Sequence, residues 1–390
     1  MAVPVFADME KTITQLWDLI VVGAGPAGAM CAREAARAGV LAGASVLLVD
    51  KAQFPRPKVC GCCLNAAALL TLESVGLGNL THRLGAQPLN EFFIAAGRKR
   101  ASLRLPAGAA ISREVFDAAL VKEAIAAGAH FLPGTRAVLD GIDADGRRLI
   151  LQNGSNPVPV RARVVIAADG LGGRLLDKEK GFGLEIRSSS RIGASVIIPN
   201  APDFYRPGTI FMACGRRGYL GLVRLEDGRL NMAAALDPEF VKETGGPCPA
   251  AAEILKEAGF PPVPDAARLP WSGTPALTRR RLRVAGERFF VIGDAAGYVE
   301  PFTGEGMSWA LACGVAVAPV ALAAQQGWDN SLARRWEDQY RRLIRRHQAA
   351  CSRLTRLLRR PVLTRLAVGA VAKAPFCAQP IVGAMNAPLR

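Results

Sequence analysis

Histidine is scarce in this chain: of 390 residues only His82, His130 and His347 occur, far apart in sequence. They supply no Ser–His–Asp constellation and no His/Cys spacing for zinc, and no paired-carboxylate arrangement stands in their place, so no metal site is expected. Aromatic residues are few as well, at 6%. No platform of interleaved basic and aromatic side chains, no zinc-finger spacing and no RNP-like strand is present, which argues against nucleic acid as a partner. The opening MAVPVFADMEKTITQLW lacks the basic n-region and continuous apolar h-region of a secretory signal. With that signal missing and Cys odd in number at nine, reduced thiols and a cytoplasmic protein are expected. Internal repeats and low-complexity tracts are also missing.

What the chain does have is apolar content of 50% and 40 Gly, the balance of a packed α/β protein long enough to bury a sizeable core. Its formal charge of +16 is uneven, with ten Arg between Ser331 and Arg360 against Glu337 and Asp338. That stretch alternates Arg pairs with Trp336, Tyr340, Leu343, Ile344, Leu354, Leu357 and Leu358, an amphipathic pattern with two readings. One is peripheral contact with an anionic membrane surface; the other is a helix closing over the protein with its Arg face in water. Met307–Ala324 is about long enough to span a bilayer, but it follows a glycine-rich turn, contains Pro319 and is richer in Ala and Val than in Leu. It reads as a buried helix.

Asp18–Val22 reads as a strand, Ala27–Ala38 as the helix after it and Ser45–Asp50 as a second parallel strand, together a βαβ unit joined through a surface excursion at Val40–Ala44. Ser112–Ala127 is an amphipathic helix with Ser112 as its cap. A meander with a turn at Asp145-Gly146 leads into the branched strand Arg163–Gly170. IGASVIIP, TIFMAC, GYLGLVRL and RLNMAAAL read as antiparallel strands, the last two joined through Glu226-Asp227-Gly228. The organisation expected is a leader at 1–16 and a nucleotide domain of 17–89, 112–186 and 275–330. A sheet domain of 90–111 and 187–274 interrupts it, and 331–390 form a basic helical region.

Gly23, Gly25 and Gly28 form GAGPAG between strand and helix. The first allows the tight turn, the second close approach of a pyrophosphate, and the third close helix–strand packing. Asp50 ends the second strand, where a carboxylate can accept ribose hydroxyls. Far downstream, FFVIGDAAGYVEPFTGEGMSWAL places Gly293-Asp294 at a strand end before a second helix N-terminus. There the amides around Gly304, Glu305, Gly306 and Met307 can meet a pyrophosphate or a flavin pyrimidine edge. A nicotinamide dehydrogenase does not need this second element.

From Asp18 to Ala324 the chain resembles the FAD-dependent aromatic-hydroxylase fold group, and within it most closely the geranylgeranyl-reductase branch. The matching motifs are GAGPAG with Asp50, PRPKVCG at Pro55–Gly61, RxxFDxxL at Arg113–Leu120, and GDAAGYVEPFTGEGM at Gly293–Met307; AADGLGGR at Ala167–Arg174 is similar to the DG motif. The resemblance implies an α/β fold in which a Rossmann-like FAD-binding domain is interrupted by an antiparallel-sheet substrate domain and followed by C-terminal helices. It also implies FAD contacts at Gly23, Gly25, Ala27, Gly28, Asp50 and Lys51 on the ADP half, and Arg113 at the phosphates. Gly293, Asp294, Gly304, Gly306 and Met307 would lie along the flavin, with Lys58, Cys60 and Gly61 beside it. Asp169 is either structural or close to the reductant. Cys60 and Tyr219 are the candidate catalytic residues, and Cys62 and Cys63 complete a CGCC run.

Two departures narrow the chemistry. Gly297 stands where hydroxylases of simple phenols usually carry His, and the WxWxIP signature of flavin halogenases is missing. Gly221 in GYLGLVR stands where the reductase branch tends to carry Trp. The resemblance implies a flavin enzyme drawing electrons from NAD(P)H and reducing a C=C bond of an apolar small molecule. The alternatives are a monooxygenase acting on an aromatic or polyketide substrate, and a flavin-binding module without turnover.

Overall fold

The computed structural model describes residues 16–39, 43–154, 156–300, 302 and 304–389. The expected leader, apart from Leu16, and residues 40–42 of the excursion before the second strand lie outside them.

The first layer is a sheet in the order β19-β20-β11-β1-β2-β8. Its members are β1 (Leu16–Val22), β2 (Val46–Val49), β8 (His130–Leu132), β11 (Asn156–Ala167), β19 (Ala285–Gly286) and β20 (Phe289–Val291). Strands β2 and β20 are buried throughout, as expected of parallel strands covered on both faces. β9 (Arg136–Ile142) and β10 (Arg147–Asn153) add the meander on β11. Val22 lies in register with Val49 and Ala167, and Ala167 with Val291. The turns that begin at Gly23, Asp50, Ala168 and Ile292 therefore leave one edge of the sheet together, which is where open α/β sheets bind ligands.

Helix α1 (Pro26–Gly39) packs along this sheet; α2 (Ala66–Ser74) and α3 (Arg113–Ala126) follow it in the chain. Ser112 caps α3, its Oγ accepting from the Val115 amide at 3.3 Å. After α4 (Pro247–Ala258) of the second layer comes α5 (Glu305–Gln326), which lies so close to α1 that a Cβ at Gly314 would sit 2.5 Å from the Ala27 carbonyl oxygen. Among the described residues α5 is the one helix long and apolar enough to cross a membrane, but 72% of its apolar window is buried inside the protein. It is a core helix.

The second layer is a sheet in the order β17-β13-β16-β15-β14-β5-β6. Its strands are β5 (Glu91–Ala96), β6 (Lys99–Arg104), β13 (Ile192–Ile198), β14 (Thr209–Cys214), β15 (Gly218–Arg224), β16 (Leu230–Leu236) and β17 (Ser272–Ala276). All pairs are antiparallel except β14 with β5, which run parallel. β7 (Gly108–Ala110) leaves this sheet to join β3 (Cys63–Asn65) and β4 (Gln87–Pro88), so the 90–111 segment serves two sheets. Side chains alternate across the large sheet. Phe211, Leu220 and Leu222 pack towards α4, while Ile210, Met212, Tyr219 and Val223 share a cluster with Cys62, Cys63 and Phe302 on the opposite face. That second face meets the nucleotide domain.

The basic stretch is one long helix: α6 (Asn330–Tyr340) passes through a π turn at Arg341–Arg345 into α7 (Arg346–Leu358). Trp336, Tyr340, Leu343 and Ile344 are buried, and the Trp336 indole donates to the Val291 carbonyl at 3.2 Å. The apolar stripe of this helix therefore faces protein, and its Arg face meets solvent. Two more helices follow: α8 (Pro361–Lys373) packs on β5 and the edge strand β6, and α9 (Gln379–Asn386) lies against α2.

Candidate functional site

At the edge where β1, β2 and β11 end, the glycine turn is held by its neighbours. Gly23 has φ 107° and its missing Cβ would stand 2.2 Å from the Ala168 carbonyl; at Gly28 the distance to the Gly23 carbonyl would be 1.8 Å. These two glycines are required by the protein's own packing. Gly25 differs: the nearest atoms to a Cβ there are the guanidinium nitrogens of Arg113 at 3.7 Å and Arg56 at 3.8 Å. Its surface is an open cradle roofed by two cations.

Asp50 organises the turn, accepting from the Ala24 amide at 2.8 Å and the Ala52 amide at 2.9 Å, with Arg56 at 3.5 Å. Arg113 binds Asp117 in two-point fashion at 2.7 and 2.8 Å, and the fully buried Asp117 also takes Arg56 at 3.3 Å. Burial opposes the charge on Arg113, but Asp117 outweighs it and the guanidinium pKa rises well above its ordinary value. The Nη1 of Arg56 faces Asp117 without hydrogen-bond geometry, while its Nη2 lies beside Gly25. Two guanidinium groups beside an open glycine cradle fit an anionic diphosphate. Arg56 and Asp117 both fall inside matched motifs, PRPKVCG and RxxFDxxL, but sequence spacing alone does not mark them as site residues.

Asp294, after β20, meets the same cations. Burial pushes its carboxyl up to about 6 against the pull of Arg113 and Lys58. Lys58 is exposed at the rim; desolvation and then the charges of Arg56 and Arg113 hold its ammonium below its ordinary value. Lys51 and Gly61 are exposed, whereas Ala27 is buried against the turn of Gly293, where a Cβ would stand 2.9 Å from the Ala27 Cβ.

The N-terminus of α5 forms the far wall. Gly304 has φ 81°, and a Cβ on it would sit 3.3 Å from the Cys63 carbonyl. A Cβ on Gly306 would sit 3.3 Å from the Tyr298 ring, while Met307 is buried in the domain core. Tyr298 is a wall residue that spacing did not reveal, and burial raises its phenol well above the ordinary range.

Cys60 lies between the two layers, half-buried, its carbonyl held by the Asn231 amide nitrogen at 3.0 Å. The Cys62 thiol donates to its sulfur and Arg113 lies beside it; against the opposing effect of burial, these bring Cys60 down to about 5. Cys62, the donor, is pushed up, and its backbone has φ 58° in the left-handed region. Burial also keeps Cys63 protonated. The three thiols are pulled in different directions: Cys60 towards the anion, Cys62 and Cys63 towards the neutral form.

Tyr219 lies on the side of β15 that meets the nucleotide domain, with Arg191 5.5 Å above its ring and Phe302 edge-on at 5.1 Å. It belongs to the apolar cluster between the layers, and its phenol is raised by burial first and then by Glu300. Gly221 stands opposite Met212 on that face, the nearest atom to a Cβ being the Met212 Cε at 3.5 Å. Asp169 points elsewhere. Its Oδ2 accepts from the Leu175 amide at 2.9 Å, and its carboxylate fills the space beside Gly173, so it braces the 170–175 turn.

An ion quartet centred on the buried Arg191–Glu300 pair, invisible in the sequence pattern, ties the pieces together. Glu300 receives Arg191 at 3.1 Å and Arg359 at 3.0 Å, and Asp237 receives Arg191 at 2.9 Å. Glu300 comes from the nucleotide domain, Arg191 and Asp237 from the substrate sheet, and Arg359 from the end of α7. A separate cavity of about 390 Å³, lined by Arg216, Arg217, Phe240, Glu253, Glu257 and Pro361, shares no residue with this site.

The family described as FAD binding domain matches residues 17–331. Menaquinone reductase of Mycobacterium tuberculosis is 30% identical over 349 residues, covering 82% of this chain and 78% of its own length. Digeranylgeranylglycerophospholipid reductase 1 of Methanopyrus kandleri is 29% identical over 363 residues, covering 83% and 87%. Among solved structures, a flavin-dependent brominase superposes with a TM-score of 0.78 at 17% identity, covering 95% of this chain and 94% of its own. A probable FAD-dependent monooxygenase of Pseudomonas aeruginosa gives 0.72 at 17% identity, covering 91% and 99%. At that identity the structural likeness establishes the fold alone.

Proposed function

The chain belongs to the FAD binding domain family, and from that premise we propose that it is a reductase which saturates an isoprenoid-type C=C bond of a lipid, with NAD(P)H as hydride source. It is an FAD-dependent oxidoreductase of the geranylgeranyl- and menaquinone-reductase type. The lipid reading rests on one observation above others: the face of the substrate sheet that meets Cys60 and Tyr298 is apolar, from Phe92 and Ile94 through Ile210 and Met212 to Val223. Glycine at 221 leaves room on that face for a chain to lie across it.

FAD, when bound, supplies the two-electron hydride chemistry. The chain's own residues bind, orient and exclude water. Arg56 and Arg113 would neutralise the FAD diphosphate at Gly25, and Asp117 holds both guanidinium groups in place. Asp50 fixes the turn through two amides. The Tyr298 and Tyr219 hydroxyls stay protonated across the physiological range, whereas the Cys62 thiol and Arg113 favour the anion of Cys60. The proton that completes saturation therefore comes from a phenol or a water, with Tyr298 the phenol at the α5 N-terminus.

The test is anaerobic turnover of FAD-loaded protein with NADPH and a polyprenyl lipid or a menaquinone, read by product mass. Gain of two hydrogens per bond without oxygen supports the reading. Product only in air, carrying an oxygen atom, replaces it with a monooxygenase. No turnover under either condition leaves a flavin-binding module.

A further inference from the structure

The exposed apolar surface of this protein is concentrated at its C-terminal end. Among the described residues, Val362 is 61% exposed, Leu366 65%, Phe376 73% and Ile381 56%, with Leu363 beside them. They share α8, α9 and the turn between them. Every other exposed position from 362 to 388 is Ala, Gly, Pro or Cys except Arg365, Lys373 and Gln379. The inner side of the same layer, at Leu358, Val368 and Ala378, belongs to the apolar cluster that contains Tyr219, Phe302 and Cys62. The layer is also bonded to the loop that carries the cysteines. The Asn65 side chain donates to the Met385 carbonyl at 3.1 Å, and Asn386 accepts from the Ala66 amide at 3.1 Å.

Charge selects what this surface meets. From Gln339 to the last residue there are eleven Lys and Arg and no Asp or Glu. A second copy docking face to face would set cation against cation with no local acid to offset it. An anionic bilayer supplies the missing charge and receives the apolar side chains.

We propose that α8, α9 and their connecting turn form a docking surface for an anionic lipid bilayer, inserting Val362, Leu366, Phe376 and Ile381 while flanking Arg and Lys side chains meet the headgroups. The surface and the substrate-facing cluster are opposite sides of one thin layer, so docking brings a membrane lipid to the mouth of the site. This deepens the lipid-reductase reading and rests on it for its purpose, although docking is measured without turnover.

The experiment is co-sedimentation of the full-length, FAD-loaded protein with vesicles of phosphatidylcholine alone and of phosphatidylcholine with phosphatidylglycerol. Partition into the anionic vesicles is expected, with affinity falling about tenfold or more in Leu366→Asp/Phe376→Asp. Leu282→Asp, exposed on another face, is expected to match the wild type. Circular dichroism and flavin content identify any variant that has merely unfolded. No partition into anionic vesicles, equal partition of the double variant, or a dimer that the double variant dissolves would each overturn docking. Should the protein partition as expected yet form no saturated product, the reductase reading fails and docking stands. Normal turnover on detergent-dispersed lipid without partition has the opposite meaning.

Discussion

Arg113 and Asp117, one helical turn apart in α3, exchange two hydrogen bonds of 2.7 and 2.8 Å at a point where the Asp117 side chain is wholly buried. The same carboxylate holds Arg56, so one anion aims two cations over Gly25. Asp117→Asn leaves both guanidinium groups short of a counter-charge. A loss of about 3 kcal/mol in chemical unfolding of the apoprotein is expected, together with weaker FAD binding in fluorescence titration. Unchanged stability would mean that the arginines find other partners.

The glycines separate packing from binding. Gly25→Val adds its side chain beside flexible guanidinium ends, whereas Gly28→Ala drives a Cβ into the Gly23 carbonyl. Gly25→Val is expected to keep the far-ultraviolet spectrum and melting temperature of the apoprotein within a few degrees and to lose FAD. Gly28→Ala is expected to destabilise the apoprotein itself by at least about 2 kcal/mol. Equal melting of the two variants would contradict this division.

Much of this was legible in the sequence, for physical reasons. The glycine turn, Asp50, the Ser112 cap and the four strands from Ile192 to Leu236 carry local signals, because propensity, capping and alternation are properties of short windows. Arg56, Asp117 and Tyr298 lay within recognised motifs, but their roles depend on which side chains converge in space. The Arg191–Glu300 pair spans 109 positions and leaves no periodic trace. The basic amphipathic helix shows the converse limit: its stripe looks the same whether protein or bilayer covers it, and Trp336 and Tyr340 turned out to be covered by protein.

Cys60 is expected to react with iodoacetamide along a pH profile centred near 5, well below an ordinary thiol. The sign follows from its partners: the Cys62 thiol and Arg113 favour the anion, so removing either raises the midpoint. Cys62→Ala should therefore shift the profile upward while leaving FAD content intact. A midpoint near the ordinary thiol value in the wild type would show that the contact does not persist in solution.

For Asp294 the sign is opposite. Burial raises its folded pKa to about 6, so the stability linked to its neutral form is present at low pH and fades as pH rises through that value. Asp294→Asn should make the apoprotein more stable at pH 7, by about 3 kcal/mol at most, and flatten its pH dependence between the unfolded carboxylate range and about 6. The same change should weaken FAD binding. An apoprotein destabilised at neutral pH would contradict the burial argument.

The Arg191–Glu300 pair, each side chain 1% exposed, joins the two layers. Glu300→Gln is expected to lower stability by about 3 kcal/mol, and adding Arg191→Met should restore part of that loss in a double-mutant cycle. Additive losses would mean the two residues act independently.

The central claim is that electrons held on FAD in the arginine-roofed cradle pass to a lipid double bond. The most direct measurement mixes chemically reduced holoprotein with a geranylgeranyl lipid in stopped flow without oxygen, following the flavin absorbance. Return of the oxidised spectrum in proportion to saturated product is the predicted result. A flavin that stays reduced until oxygen enters, and then yields oxygenated product, would contradict it.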